Sequence, residues 1–327
     1  MTPRPLFDLY IACCVPEGAI VHFRLREDGT LAEMGRIPAA EPMYLAMEES
    51  RLYALLRKPF ADGQSGLAVA ELGPDGNPAP LGAPMATGGT VACHLSLWRG
   101  RVYLANYLSG SVARLDPRTG ELLLDIHTGH GPNETRQEAP HVHFTAPAPD
   151  GQSLFAVDLG TDTVYTYDEN LQVRSRASVP AGHGPRHLAY APDGRFVYCA
   201  NELGETVTVF ACDGGRLTPV TTVDALPVPH VETSTAAAIR LRDGYLYVSH
   251  REDDSITVFR AEGADLRYCR RVPTGGRRPR DFHIFGDFLV CLHEDSDHVA
   301  VFRRQGDELI FCSETALPRP LCVIGKE

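Results

Sequence analysis

GPRHLAYAPDGRFVYCANELGETVTVFACDGGRLTPVTTV, residues 184–223, holds four short β-rich runs separated by turn residues. HLAYAPDG is a first run ending in a Pro-Asp-Gly turn, and RFVYCAN is a second. TVTVFACDGGRLTPVTTV carries two alternating runs around a Gly/Asp turn and reads as a hairpin. Four short strands in succession make one propeller blade. The phrase returns roughly once every 42 to 52 residues, anchored at Tyr10, Tyr53, Tyr103, Phe155, Tyr198, Tyr247 and Phe288. Self-similarity at such a period marks a closed array of stacked units. Seven anchors predict an all-β, seven-bladed propeller with four-stranded antiparallel blades.

The chain ends support closure of the ring. Residue 6 begins in the middle of a unit, while RPLCVIG, residues 319–325, reads as a leftover first strand. The last strand is therefore expected to complete the blade begun by residues 6–38, removing the two edges of an open array. Six or eight blades are the rival counts, because GPDGNPAPLGAPMATGG, residues 73–89, hides its strands in a loop-rich composition. The repeat places all 327 residues, 1–327, in one domain.

With 43% hydrophobic residues the chain can bury a sizeable core. No apolar stretch approaches 18 residues and MTPRPLFDLY lacks the order of a secretory signal, so a soluble cytoplasmic protein without membrane attachment is expected. Nine cysteines, an odd number with no CxxC pair, read as small buried hydrophobes in a reducing compartment. A formal charge of −11 argues against nucleic acid as a partner. An anionic ligand would need a local positive site.

Four polar segments stand out as loop or strand-end material: GHGPNETRQEAPHVHF (129–144), GHGPRHLAY (182–190), CANELG (199–204) and VSHRED (248–253). In the first, a strand beginning near His141 would turn His141 and His143 to one face. That HxH spacing suits a metal as well as an acid/base pair, with His183 and His187 as further ligand candidates; a structural hydrogen-bonding role for His141 is the plain alternative. Arg186 stands before one blade's first strand and Glu202 after its second, either facing a pocket or forming an ordinary ion pair. Arg251 follows LYVSH as Glu202 follows VYCAN, so the two share one rim. His143, Glu202, Arg186 and Arg251 then surround an opening suited to a carboxylate or phosphate, which arginine binds through paired charge-assisted bonds. GGRRPRDF (275–282) adds Arg280 on a loop as a phosphate contact or a solvated turn. No GxSxG, GxxxxGK[ST], HExxH or GxGxxG template is present.

LANYLSGSV, GPNETRQEAPHVHF, FAVDLGTDTVYTY, GPRHLAYAPDGRFVYCANELGETVTVF and LYVSHREDDSITVF together resemble the bacterial lactonase family of seven-bladed propellers, nearly end to end. That family includes propeller-type 6-phosphogluconolactonase and, more distantly, the 3-carboxymuconate lactonizing enzyme. The resemblance implies catalytic roles for His143 (six residues before Pro149 of a PDG turn), Arg186 of the PR motif, Glu202 of the NEL motif and Arg251. His141 and Arg280 are added as substrate-binding. KPFADGQSG (58–66) and residues 223–239 depart from a phosphogluconolactone enzyme and would contact the distal end of the substrate.

The expected activity is hydrolysis of an anionic sugar lactone, foremost 6-phospho-D-glucono-1,5-lactone, a step of the pentose phosphate pathway. No cofactor and no resident metal are expected, and the partner is the small-molecule lactone itself. Glu202 would deprotonate water and His143 would protonate the ring oxygen, or the reverse. As rim residues, Arg186 and Glu202 should tolerate substitution with the fold nearly intact. A muconate-type cyclase and a non-enzymatic binding or scaffold propeller are the alternatives; the chain lacks the WD dipeptide of the latter.

Overall fold

The structure, a computed structural model, describes residues 4–229 and 234–326. Its strands form seven four-stranded antiparallel sheets. In six of them the chain runs in order from one sheet edge to the other. In the remaining one, Pro320–Lys326 pairs with Pro5–Cys13, followed by Ala19–Arg26 and Leu31–Pro38. The C-terminal strand thus becomes the innermost strand of blade one, as its leftover RPLCVIG pattern predicts. Seven sheets also exclude the six- and eight-bladed alternatives. Residues 73–89 lie within blade two, as a long connection running into its outer strand Met85–Thr90.

Blades two to seven begin with the innermost strands Pro42–Glu48, Ala92–Trp98, Val142–Pro147, Pro185–Tyr190, Ala236–Arg242 and Pro279–Phe285. Each packs against the innermost strand of the next blade, and the ring of contacts closes through Pro320–Lys326. The second strands are almost wholly buried, as in Leu154–Asp158 and Phe288–His293, because both faces of each sheet are covered by neighbouring blades. Outer strands such as Val173–Ser178 are largely exposed and correspondingly polar.

The repeat anchors have a physical purpose. On the second strand of its blade, each of four tyrosines donates a hydrogen bond to a backbone carbonyl at the outer turn of the next blade. The pairs are Tyr10 to Gly76 (2.6 Å), Tyr103 to Glu169 (3.1 Å), Tyr198 to Gly263 (2.8 Å) and Tyr247 to Gly306 (3.4 Å). The rings fill the interblade core and the hydroxyls fix the stagger between blades. Tyr198→Phe should keep the packing and lose one partly buried bond, costing about 1 kcal/mol. Urea unfolding checks this; an unchanged midpoint would deny the tie its role.

All nine cysteines are free; six are buried and three are partly exposed. Among the described residues no helix is long and apolar enough to cross a membrane.

Candidate active site

Two rings of equivalent positions build the site. The first arises from a register shift near the start of every innermost strand, which leaves a residue unpaired with the second strand. These bulge positions hold Leu321, Met43, Cys93, His143 and Arg186 in blades one to five, Ala237 with Ala238 in blade six, and Arg280 in blade seven. Bulges redirect side chains, and those of blades one to five and seven line the two adjoining cavities at the centre of the ring. The second ring is the residue following each second strand: Cys14, Arg57, Tyr107, Leu159, Glu202, Arg251 and Glu294. Arg57, Tyr107, Glu202 and Arg251 reach the same opening.

Together with Arg136 and Arg278 from connecting loops, they enclose a cavity of about 350 Å³. Five arginines and one carboxylate line it, a positive site on a chain of net charge −11. Arg278 takes a left-handed φ of 61° directly before its strand, as do Val91 (49°), Glu41 (46°) and Arg319 (40°). Val91 also lines the cavity, and a β-branched residue in that region is a strained position that its surroundings must hold.

Glu202 is the hub. Its Oε1 accepts a hydrogen bond from Arg136 Nη2 (2.5 Å) and lies 2.9 Å from Arg251 Nη2. Its Oε2 faces Arg186 Nε at 3.0 Å, an ion pair whose N–H is not aimed along the hydrogen-bond direction. The side chains of Glu202 and Arg186 are each only 2% exposed. Burial alone would push the Glu202 carboxyl up, but the permanent cations Arg251, Arg186 and Arg136 hold it well below the usual carboxylate range. Burial and the neighbouring Arg280 lower the Arg186 guanidinium to about 9, which leaves it a cation at neutral pH.

His143 is its counterpart. Its Nδ1 is buried without a partner, which leaves Nε2 as the nitrogen with access to the cavity. Burial and then Arg186 drive its pKa well below 6.5, with Glu202 opposing, so the imidazole is neutral at physiological pH. The His187 ring lies between those of His143 (5.2 Å) and His94 (5.5 Å), edge-on to both, and Tyr44 and Phe144 pack on His94 at 4.2 Å. These rings floor the site.

Five histidines share this depression: buried His94, His143 and His187 lie well below 6.5, while buried His293 and partly exposed His283 fall to about 3, loss of hydration being the main cause in each. The unfolded chain therefore takes up protons that the folded chain refuses, and stability falls as pH drops below about 6.5, by up to about 1.4 kcal/mol per pH unit for each group. Glu202 and Glu294, with lowered pKa values, add nothing in this window; their stabilisation is lost only as pH falls below the unfolded carboxylate value. The thermal midpoint should be several degrees lower at pH 5 than at pH 7. Equal midpoints would show that the histidines titrate freely.

His143, Glu202, Arg251 and Arg280 line the cavity as the sequence suggests, and Arg186 supports it from one layer deeper. Arg186 and Arg280 stand inside their strands, at the bulges, rather than before them. His141 does not line the cavity. Its ring stacks on Tyr107 (4.5 Å), its Nδ1 meets the Tyr107 carbonyl and its Nε2 meets Glu138, so it braces a wall residue. His183 bonds Thr206 outside the cavity, and among the described residues no three His, Cys, Asp or Glu side chains are grouped to hold a metal ion. Loop 58–66 does not reach the cavity, although Arg57 directly before it does. Part of the 223–239 connection, residues 230–233, lies outside the described residues.

Arg57, Tyr107, Arg136 and Arg278 are wall residues absent from the sequence-derived set. Arg136 is delivered by the polar loop before residue 141. Its neighbour Gln137, wholly buried, donates to Leu159 O and Asp162 Oδ1 (both 2.8 Å), and Asp162 also accepts from Gly182 and Gly184. One carboxylate thereby ties two loops beside Glu202.

The family described as "Lactonase, 7-bladed beta-propeller" matches residues 8–324. The chain belongs to this family and is a lactone-hydrolysing enzyme. Among its relatives, a 6-phosphogluconolactonase of Bacillus subtilis is 33% identical over 259 residues, 74% of this chain and 73% of the relative. A putative 6-phosphogluconolactonase from Bacteroides fragilis superposes with a TM-score of 0.88 at 25% identity, covering 98% of both chains. A periplasmic gluconolactonase of Pseudomonas aeruginosa gives 0.89 at 26%, covering 98% of this chain and 99% of the other.

Proposed function

We propose that this enzyme hydrolyses an anionic sugar lactone, foremost 6-phospho-D-glucono-1,5-lactone, in the arginine-lined cavity. The observation that supports it best is the pairing of a neutral, cavity-facing imidazole with a carboxylate locked among three guanidinium groups. Glu202 has both oxygens engaged and a strongly depressed pKa, so it is a poor proton acceptor. It orients Arg136, Arg186 and Arg251 instead.

His143 Nε2 is then the base. It takes a proton from water as the water oxygen bonds to the lactone carbonyl carbon, and the carbonyl oxygen becomes an oxyanion beside Arg136 and Arg251. Each of these guanidiniums has N–H donors beyond those engaged by Glu202, Tyr107 and Thr235. Collapse restores the carbonyl and breaks its bond to the ring oxygen, which receives the proton from His143. The released acid loses its own proton to solvent. Atoms and charge balance with water as the one co-reactant, so the chemistry calls for no cofactor. A δ-lactone also opens unaided, and each ~1.4 kcal/mol of barrier removed gives a tenfold rate gain.

A substrate panel in the presence of chelator tests the reading. The phosphorylated lactone should be preferred over glucono-1,5-lactone, and muconates should show no ultraviolet loss of their conjugated diene. Turnover of a muconate in place of either lactone would replace hydrolysis with cyclisation.

A further inference from the structure

We infer that Arg57, with Arg278, forms a distal anion subsite that selects lactones bearing a second negative group remote from the carbonyl, such as a phosphate monoester. The inference rests on the hydrolase reading for its substrate, but the subsite stands on its own geometry.

The cavity arginines fall into two groups. Arg136 and Arg251, with Arg186 behind them, converge on Glu202. At blade seven, Arg278 and Arg280 approach Glu294 at 3.4 Å, a carboxylate that Arg319 also holds at 2.9 Å, and Arg278 further meets Glu252 at 3.5 Å and Asp295 at 3.9 Å. Arg57 stands apart from the first group, since it follows a strand of blade two, three blades from both Glu202 of blade five and Arg251 of blade six, while only blade one separates it from blade seven. Among the described residues no carboxylate pairs with Arg57, and the nearby Glu41 is taken by Lys58 at 3.9 Å. Glu294, Glu252 and Asp295 thus offset Arg278, Arg280 and Arg319, and among the described residues Arg57 is the cavity guanidinium left without a carboxylate.

Topology gives the same assignment. Arg57 follows its second strand as Glu202 and Arg251 follow theirs, so YALLR, YCANE and YVSHR are one structural phrase in three blades. Blade two therefore presents its guanidinium at the level where blades five and six present Glu202 and Arg251. A phosphate monoester, doubly charged with three acceptor oxygens, matches a wall of planar guanidinium donors. The cavity volume of about 350 Å³ suits a small phosphorylated sugar acid.

Kinetics of the full-length wild type, Arg57→Gln and Arg57→Lys on freshly generated 6-phosphogluconolactone and on glucono-1,5-lactone test the assignment. Arg57→Gln should raise KM for the phosphorylated lactone by about 10- to 100-fold, the range for losing charge-assisted hydrogen bonds, with kcat changed by no more than about threefold. Discrimination between the two lactones should fall at least about tenfold, and Arg57→Lys should recover part of it. Equal losses on both lactones, or a loss in kcat alone, would overturn the subsite. Calorimetric titration with inorganic phosphate separates this outcome from failure of the hydrolase reading. If the wild type opens neither lactone, hydrolysis falls, while saturable phosphate binding weakened at least about tenfold by Arg57→Gln still upholds the subsite. Phosphate binding that is absent, or equal in both proteins, overturns it.

Discussion

Glu202→Ala is expected to abolish lactone hydrolysis and to lower stability by about 3–5 kcal/mol, the usual cost of leaving a buried ion cluster without its counter-charge. Glu202 neutralises Arg136, Arg186 and Arg251, and the Arg186 side chain is as deeply buried as its own. Removing the carboxylate leaves like charges facing one another, with the Arg186 and Arg251 side chains buried. Sequence position alone suggests a rim residue whose loss spares the fold; burial reverses that expectation, because a propeller's inner rim sits within its neighbours rather than in solvent. Glu202→Gln keeps the shape and some hydrogen bonding, so it should fold better than Glu202→Ala while remaining severely impaired. Denaturant unfolding beside kcat/KM for the two variants tests this. Wild-type activity in Glu202→Gln would show that the negative charge is not what arranges the arginines.

His143→Asn should cost about 10²- to 10⁴-fold in kcat, the span attributed to a positioned general base, with a smaller change in KM. Its pH signature separates it from Glu202. In the wild type, kcat/KM should stay level from pH 8 to below 6.5 and decline only at more acidic pH, because the depressed His143 pKa keeps Nε2 unprotonated. A base with the free histidine value would begin to lose activity at about pH 6.5. Asparagine does not titrate, so the residual rate of His143→Asn should lack that acidic limb. Wild-type kcat in His143→Asn would return the base role to Glu202.

The architecture was legible because propeller packing writes itself into sequence at fixed spacing. Tyr10, Tyr103, Tyr198 and Tyr247 recur because each fills the interblade core and bonds the next blade's backbone. The leftover strand at residues 319–325 was legible for the same reason: an incomplete unit at one end must find its missing strands at the other. At the site, the shared placement of Glu202 and Arg251 after second strands was visible, and the same alignment extends to Arg57 through YALLR. Arg57 is passed over because the loop that follows it, residues 58–66, reads as the substrate contact in its place.

Arg136 carried a weaker signal, a polar loop costly to order without a purpose; that Gln137 and Asp162 fasten it beside Glu202 is a tertiary fact with no local trace. The bulges were invisible for a related reason. Alternation with period two takes no account of an inserted residue, so Arg186 and Arg280 read as loop residues, and His141, read on one face with His143 as a substrate contact, takes the structural alternative and braces Tyr107.

The most direct test of the central claim is hydrolysis of freshly generated 6-phosphogluconolactone by the wild-type enzyme with chelator present, coupled to 6-phosphogluconate dehydrogenase and compared with spontaneous opening. Saturable acceleration of several orders of magnitude is the predicted result. A rate no faster than spontaneous opening would contradict it.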